Sequence, residues 1–269
     1  MKYCYPLFFI LFILATSCRN SPPQDPIPTH DSLTISSKIL EENRVINIWL
    51  PDVYRQSSDS LPIMYMPDGG VKEDFPHIAN TLQKLIDEKK IKPLILVGIE
   101  NTERRRDLTP KTEVEKDKEV APVVGGSENF RVFIKEELFP EIEKRYRTTS
   151  ERSLIGESLA GLFVLETFFL TPDLFTHYIA FDPSLWWNKH YLVRTANEHL
   201  NKLPSQQKSL WYAGSSVVDV NIYTNELSII LKEKSPANLR WTYSDESQEE
   251  HHTIFRATKE KAIIWSLGQ

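Results

Sequence analysis

Residues 32–269 alternate short apolar, β-branched runs with helix-length patterns, and this alternation sets the strongest limit on what the chain can fold into. The runs predict strands over Ser32–Ser37, Arg44–Leu50, Ile63–Met66, Leu94–Ile99, Ser153–Ile155, Tyr178–Phe181, Ser209–Tyr212 and Leu239–Tyr243. Helical spacing falls between them, over Ile78–Glu88, Asn129–Tyr146, Leu159–Leu170, Lys189–Leu203 and Val220–Lys234. The first two strands are close enough to pair as an antiparallel hairpin across Glu41-Glu42-Asn43. Strands separated by helices thereafter imply an α/β domain, a mainly parallel sheet with helices on both faces. Neither an internal repeat nor a second linker divides residues 32–269, so one domain is expected. In such sheets ligands bind beyond the carboxyl ends of the strands, and the chemistry belongs there.

The segment before this domain reads differently. Residues 1–17 carry one lysine and then an apolar run that is short for a bilayer span, the pattern of an export signal. It ends in Leu14-Ala15-Thr16-Ser17-Cys18, which resembles a bacterial lipoprotein box, with Cys18 as the residue to be lipidated. The other cysteine, Cys4, lies inside the leader, so the mature chain is expected to hold no disulfide. Residues 18–31, rich in proline and polar residues, read as an extended tether. The expected location is a bacterial cell envelope, on the extracytoplasmic side of a membrane, held by lipid.

The most informative local pattern begins at Ser153. A short strand runs into Gly156-Glu157-Ser158-Leu159-Ala160-Gly161 and then into the apolar helix Leu162–Leu170. Strand, sharp turn and helix form the context of a nucleophile elbow, in which a strained serine is pushed above the sheet with small neighbours around it. Ala160 stands where a second glycine is usual, with Gly161 following. A serine capping a buried helix is the simpler alternative. With nine glycines in 269 residues, this chain uses glycine sparingly, and two of the nine flank this turn.

Two more glycines, Gly69 and Gly70, close the apolar strand Ile63–Met66 through Pro67 and Asp68. An acyl-transfer enzyme needs two backbone N–H groups at the carbonyl oxygen. Gly69 or Gly70 and Leu159 are the candidates, although Asp-Gly-Gly also makes a plain turn. Near the C-terminus, Glu250-His251-His252 follows the last strand and completes the order serine, acid, histidine. A solvated acidic loop or a fortuitous metal site is the alternative for this pair, and the spacing favours no metal. The acid is expected after the penultimate strand, where Asp219 comes first and Glu226 further along; Asp219 also suits a helix N-cap. The charged stretch Thr102–Glu119 reads as an exposed loop. A formal charge of −5 offers no basic excess for nucleic acid.

The stretches Arg44–Pro51, Leu61–Gly70, Arg106–Pro110, Phe139–Gly161, Asp182–Trp187 and Glu250–Thr253 together resemble the Putative esterase family of α/β hydrolases. That family includes esterase D-like enzymes and trilactone siderophore esterases. The resemblance implies the α/β-hydrolase fold, no cofactor, Ser158 as nucleophile and His251 as base. It also implies a small-molecule ester as partner, with Trp186, Trp187 and Arg106 near the substrate; core packing is the alternative for the tryptophans. It attaches no role to Asp182. The function implied is a membrane-anchored serine ester hydrolase. The alternatives are a feruloyl or acetyl esterase on polysaccharide, or a lipoprotein that binds a siderophore or glycan without turnover. The oligomeric state is left open.

Overall fold

The computed structural model describes residues 25–268. Cys18, the leader 1–17 and the first part of the tether lie outside the described residues. Eight strands form one sheet: β1 (Asp31–Ser37), β2 (Glu42–Trp49), β3 (Leu61–Met66), β4 (Ile95–Ile99), β5 (Thr148–Glu157), β6 (His177–Phe181), β7 (Lys208–Gly214) and β8 (Leu239–Asp245). Their spatial order is β1-β2-β4-β3-β5-β6-β7-β8. β1 and β2 form an antiparallel hairpin, β2 meets β4 antiparallel, and all further pairs are parallel. The central buried stretches of β3 to β7 are apolar on both faces, as a sheet covered on both sides requires.

Among the described residues, nine α-helices follow in chain order. They are α1 (Phe75–Asp87), α2 (Arg104–Leu108), α3 (Glu115–Val120), α4 (Ser127–Phe133), α5 (Phe139–Arg145), α6 (Leu159–Leu170), α7 (Trp187–Leu200), α8 (Val218–Lys234) and α9 (Ile254–Leu267). A π-turn over Ile134–Leu138 joins α4 to α5, so the long helix expected over Asn129–Tyr146 exists with an internal bulge. One face of the sheet packs against α1 and α9 through Ile78, Leu82, Phe255 and Ile263. The other packs against α6, α7 and α8 through Phe163, Val193 and Leu227. This is the mainly parallel, doubly covered sheet that the alternating pattern predicted, in the α/β-hydrolase arrangement that the family resemblance implied.

Three regions depart from expectation. α9 occupies a segment to which no element was assigned, although Ile254, Phe255, Ala262 and Ile263 recur at helical spacing and are buried. Thr102–Glu119 is no exposed loop: it folds into α2 and α3 and buries Asp107, Leu108, Thr112 and Asp117. Residues 25–30, expected within a tether, lie along α1 and α9. Asp25 pairs with Arg256 at 2.7 Å, Asn80 donates to the Pro26 carbonyl, and His30 meets Phe75 edge-on.

α6, the helix that carries the elbow, is apolar all round except for one charge, Glu166. That carboxylate is buried and accepts from both terminal nitrogens of Arg131 on α4, at 2.7 and 3.3 Å. Two charges taken from water are tolerated only as a pair. Glu166→Ala should therefore lower unfolding stability by about 3–5 kcal/mol in urea titrations, because it strands a buried guanidinium. The double variant Arg131→Met/Glu166→Leu should recover most of the loss, and a full loss in both would show that the pairing is not the cause.

Candidate active site

β3, β5 and β6 are neighbours in the sheet, and each is followed at its carboxyl end by a residue with positive φ: Asp68 (56°), Ser158 (59°) and Asp182 (45°). None is glycine, so each stores backbone strain of about 1–3 kcal/mol that the surrounding structure must hold. Ser158, with ψ of −117°, is the turn between β5 and α6. Its N–H donates to the Phe181 carbonyl at 2.9 Å, and its own carbonyl accepts from Leu162 and Ser184 at 2.9 and 3.1 Å. The elbow is thereby stitched to β6 and to its own helix.

Close packing explains why Ala160 serves here. A Cβ on Gly156 would lie 2.7 Å from the Ala160 methyl, and a Cβ on Gly161 would lie 2.8 Å from the Phe181 carbonyl oxygen. The positions that must be glycine are 156 and 161, and Ala160, between Ser158 and Gly161, needs only to be small.

Asp182, to which the sequence reading attached no role, is the carboxylate that the structure brings to His251. Its side chain is fully buried, and Oδ1 accepts from the Ser215 backbone N–H at 2.6 Å. Oδ2 takes the Ser215 hydroxyl at 2.8 Å and His251 Nδ1 at 2.5 Å. The expected acid, Asp219, sits exposed in the first turn of α8, and Glu226 is exposed on the same helix. The reason is topological. α8 starts at Val218, too soon after β7 for either carboxylate to turn back toward the histidine loop, so the acid comes from the neighbouring strand end. The one sequence signal was an Asp-Pro step directly after the apolar run of β6.

His251 lies in the β8–α9 loop, which is pinned at both ends. Glu246 N–H donates to the Gly214 carbonyl at 3.0 Å, and Ser216 N–H donates to that of Glu249 at 2.9 Å. Glu246 itself is buried and receives Lys261 at 2.6 Å and Gln248 at 2.8 Å. The hydrogen bond to Asp182, partly opposed by burial, raises the His251 pKa above the ordinary imidazole value. His252 points to solvent beside Glu250. Held by Nδ1, the ring leaves Nε2 for proton transfer.

The remaining expected residues divide. Leu159 opens α6, and helix geometry leaves its N–H without an intrahelical acceptor. The Gly69 N–H is not available, because it donates to the Ile99 carbonyl at 2.9 Å. The Gly70 N–H faces the Glu73 carboxylate at 2.7 Å, so that amide already holds an anionic group. Trp187 is buried, with its indole N–H on the Pro110 carbonyl, so it packs the core; Trp186 beside it is only half-buried. Arg106 is locked by Glu42 and Asp107. The guanidinium near the site is that of Arg104, which grips Asp68 through Nε and Nη2 at 2.6 and 2.7 Å. A cavity of about 640 Å³ between α4, α6 and α7 is lined by neither Ser158 nor His251. Among the described residues no group of three metal-ligating side chains exists.

The Asp182 contact generates a direct test. Asp182→Asn removes the charge that stabilises imidazolium, so His251 should titrate at lower pH than in the wild type. Asp219→Asn should leave it unmoved. Imidazole Cε1–H chemical shifts followed against pH decide the matter, and an unshifted His251 in Asp182→Asn would refute the assignment.

The model for the family described as "Putative esterase" matches residues 37–259. Ferri-bacillibactin esterase BesA of Bacillus subtilis is 30% identical over 263 residues, covering 90% of both chains. Apo-salmochelin esterase of Escherichia coli is 31% identical over 230 residues, covering 77% of this chain and 70% of its own. Among solved structures, an IroE-like serine hydrolase from Shewanella oneidensis superposes with a TM-score of 0.78 at 28% identity, over 88% of this chain and 79% of that one. The BES protein from Bacillus cereus shares the fold, with a TM-score of 0.78 at 23% identity, over 91% and 97%. The chain belongs to the Putative esterase family and is a carboxylic ester hydrolase with the α/β-hydrolase fold.

Proposed function

We propose that this chain cleaves a trilactone siderophore through an acyl-enzyme intermediate formed on Ser158. The observation that carries the mechanism is the buried Asp182 carboxylate on His251 Nδ1, at the strand end next to the Ser158 elbow. The esterases of bacillibactin and salmochelin among the relatives support the substrate class.

In this mechanism His251 Nε2 takes the Ser158 hydroxyl proton as the oxygen attacks the ester carbonyl. Asp182 holds the tautomer and stabilises the imidazolium that forms. The Leu159 N–H receives the developing oxyanion from the N-terminus of α6, where the helix dipole adds to it. The Gly70 N–H supplies the second donor once the Glu73 carboxylate gives way to the substrate oxygen. Collapse expels the alcohol, which takes the proton from His251. Water then attacks the acyl-serine by the same route, with the proton passing to His251 and back to the serine oxygen. Trp186, half-buried beside the core residue Trp187, is assigned here to border the substrate.

The reading extends to location. The apolar leader 1–17 and the Leu14–Cys18 box support lipid attachment at Cys18 and an extracytoplasmic, membrane-held enzyme.

A fluorophosphonate probe should label the wild type and leave Ser158→Ala unlabelled. Ser158→Ala and His251→Ala should each lower kcat by at least about 10³-fold on short 4-nitrophenyl esters. An unlabelled, inert wild type would overturn the mechanism. Product chromatography from a trilactone siderophore and from a feruloylated sugar decides the substrate class, with linear fragments expected only from the trilactone. Cys18→Ser should move the protein from the membrane to the soluble fraction, and retention on the membrane would refute the anchor.

A further inference from the structure

Glu157 has no part in the mechanism above, yet it directly precedes the nucleophile. It is the last residue of β5, opposite Phe181 in the parallel register with β6, and Asp182 follows Phe181. Its side chain carries an unusual burden, because Oε1 is shielded from water and has no hydrogen-bond partner. A buried carboxyl oxygen left in that state costs stability and calls for an explanation in the chemistry of its surroundings.

The charges that face it come from every element around the cleft. Asp68 and Asp74 approach from the β3–α1 loop, Asp182 from the end of β6, His251 from the β8–α9 loop and Arg104 from α2. Only the last two are cationic groups. His251 is neutral in the reacting enzyme and held by Asp182, and Arg104 is engaged by both oxygens of Asp68. Each of these two groups is thus shared with a second carboxylate, and neither hydrogen-bonds Glu157 Oε1. Burial, then Asp74, Asp182 and Asp68, push its pKa up to about 7, with His251 opposing.

From this geometry we propose that Glu157 is a specificity-determining residue, a carboxyl at the nucleophile that directs the enzyme to uncharged esters and rejects esters with a negative charge near the scissile bond. The inference rests on Ser158, Asp182 and His251 acting as the hydrolytic centre. In its protonated form Glu157 offers a neutral O–H to the bound ester. Once ionised it joins three carboxylates and repels an anionic substrate across a partly desolvated cleft, where one added charge changes affinity by about tenfold.

Two acetyl esters of matched shape test this: 4-acetoxybenzamide, which is neutral, and 4-acetoxybenzoate, which is anionic throughout. Values of kcat/KM are measured for both from pH 5.5 to 9. Both esters need neutral His251, so its titration cancels in their ratio. The preference for the neutral ester should widen by about tenfold as pH rises through about 7. In Glu157→Gln, which keeps the shape and cannot ionise, the ratio should be flat. A wild-type ratio independent of pH would overturn the proposal without recourse to any variant. A ratio that still widened in Glu157→Gln would overturn it as well, by assigning the effect to another group. Failure to hydrolyse either ester would instead sink the hydrolytic reading of Ser158.

Discussion

A carboxylate with no exposure to water, such as that of Asp182, survives only if its lone pairs are taken, and here the partners are Ser215 twice and His251 once. Much of the site follows from meeting that demand. Ser215 must follow β7 directly, so β7 has to lie beside β6 with its carboxyl end level with it, as the pairing of Phe181 with Ala213 ensures. His251 must be brought back over the same point, which fixes the path of the β8–α9 loop and explains its two backbone pins at Gly214 and Ser216. One buried charge thus couples three strand ends and the helix α9 that closes the sheet.

The strain at Asp68, Ser158 and Asp182 belongs to the same construction. A parallel strand would naturally deliver its next residue along its own axis, whereas these three turn sharply with positive φ at the carboxyl edge. The close approach of loop and sheet holds the first of them. A Cβ on Gly69 would lie 2.2 Å from the Ile99 nitrogen, and Asn47 donates to the Gly69 carbonyl. Strain distributed over adjacent strands keeps Ser158, Asp182 and the Asp68 loop in fixed relation, the preorganisation that the proposed chemistry requires.

What could be read from the sequence was whatever is encoded locally. Each of the eight strands matches an apolar run, and the elbow is visible at Ser158 because strand, turn and helix are contiguous there. Chain order pointed to His251, the histidine of the pair whose ring contacts a buried carboxylate. The acid was illegible because its place depends on which strand end the histidine loop crosses, a fact of tertiary structure that local spacing around Asp219 does not carry. Arg104 and Arg106 show the same limit at smaller scale. They are two residues apart on α2, about 200° around the helix axis, so one faces Asp68 and the other Glu42. Trp186 and Trp187 divide in the same manner, one half-buried and one in the core. A run of like residues announces a site without saying which member enters it.

The electrostatic balance of the cleft then follows from how the triad is assembled. Placing the acid at the end of β6 puts its charge next to the strand that carries Ser158, and therefore next to Glu157. Had the acid come from the end of β7, one strand further away, the Asp182 charge would not stand beside Glu157. The two carboxyls compete for the same low-dielectric edge. Asp182 has its oxygens taken by Ser215 and His251, whereas Glu157, with an unpartnered oxygen, is driven toward its neutral form by burial and by the carboxylates around it. Burial and then Asp74 do most to keep Glu157 neutral, and the Asp182 charge at the end of β6 adds to them, so the carboxyl edge as a whole governs the residue before Ser158.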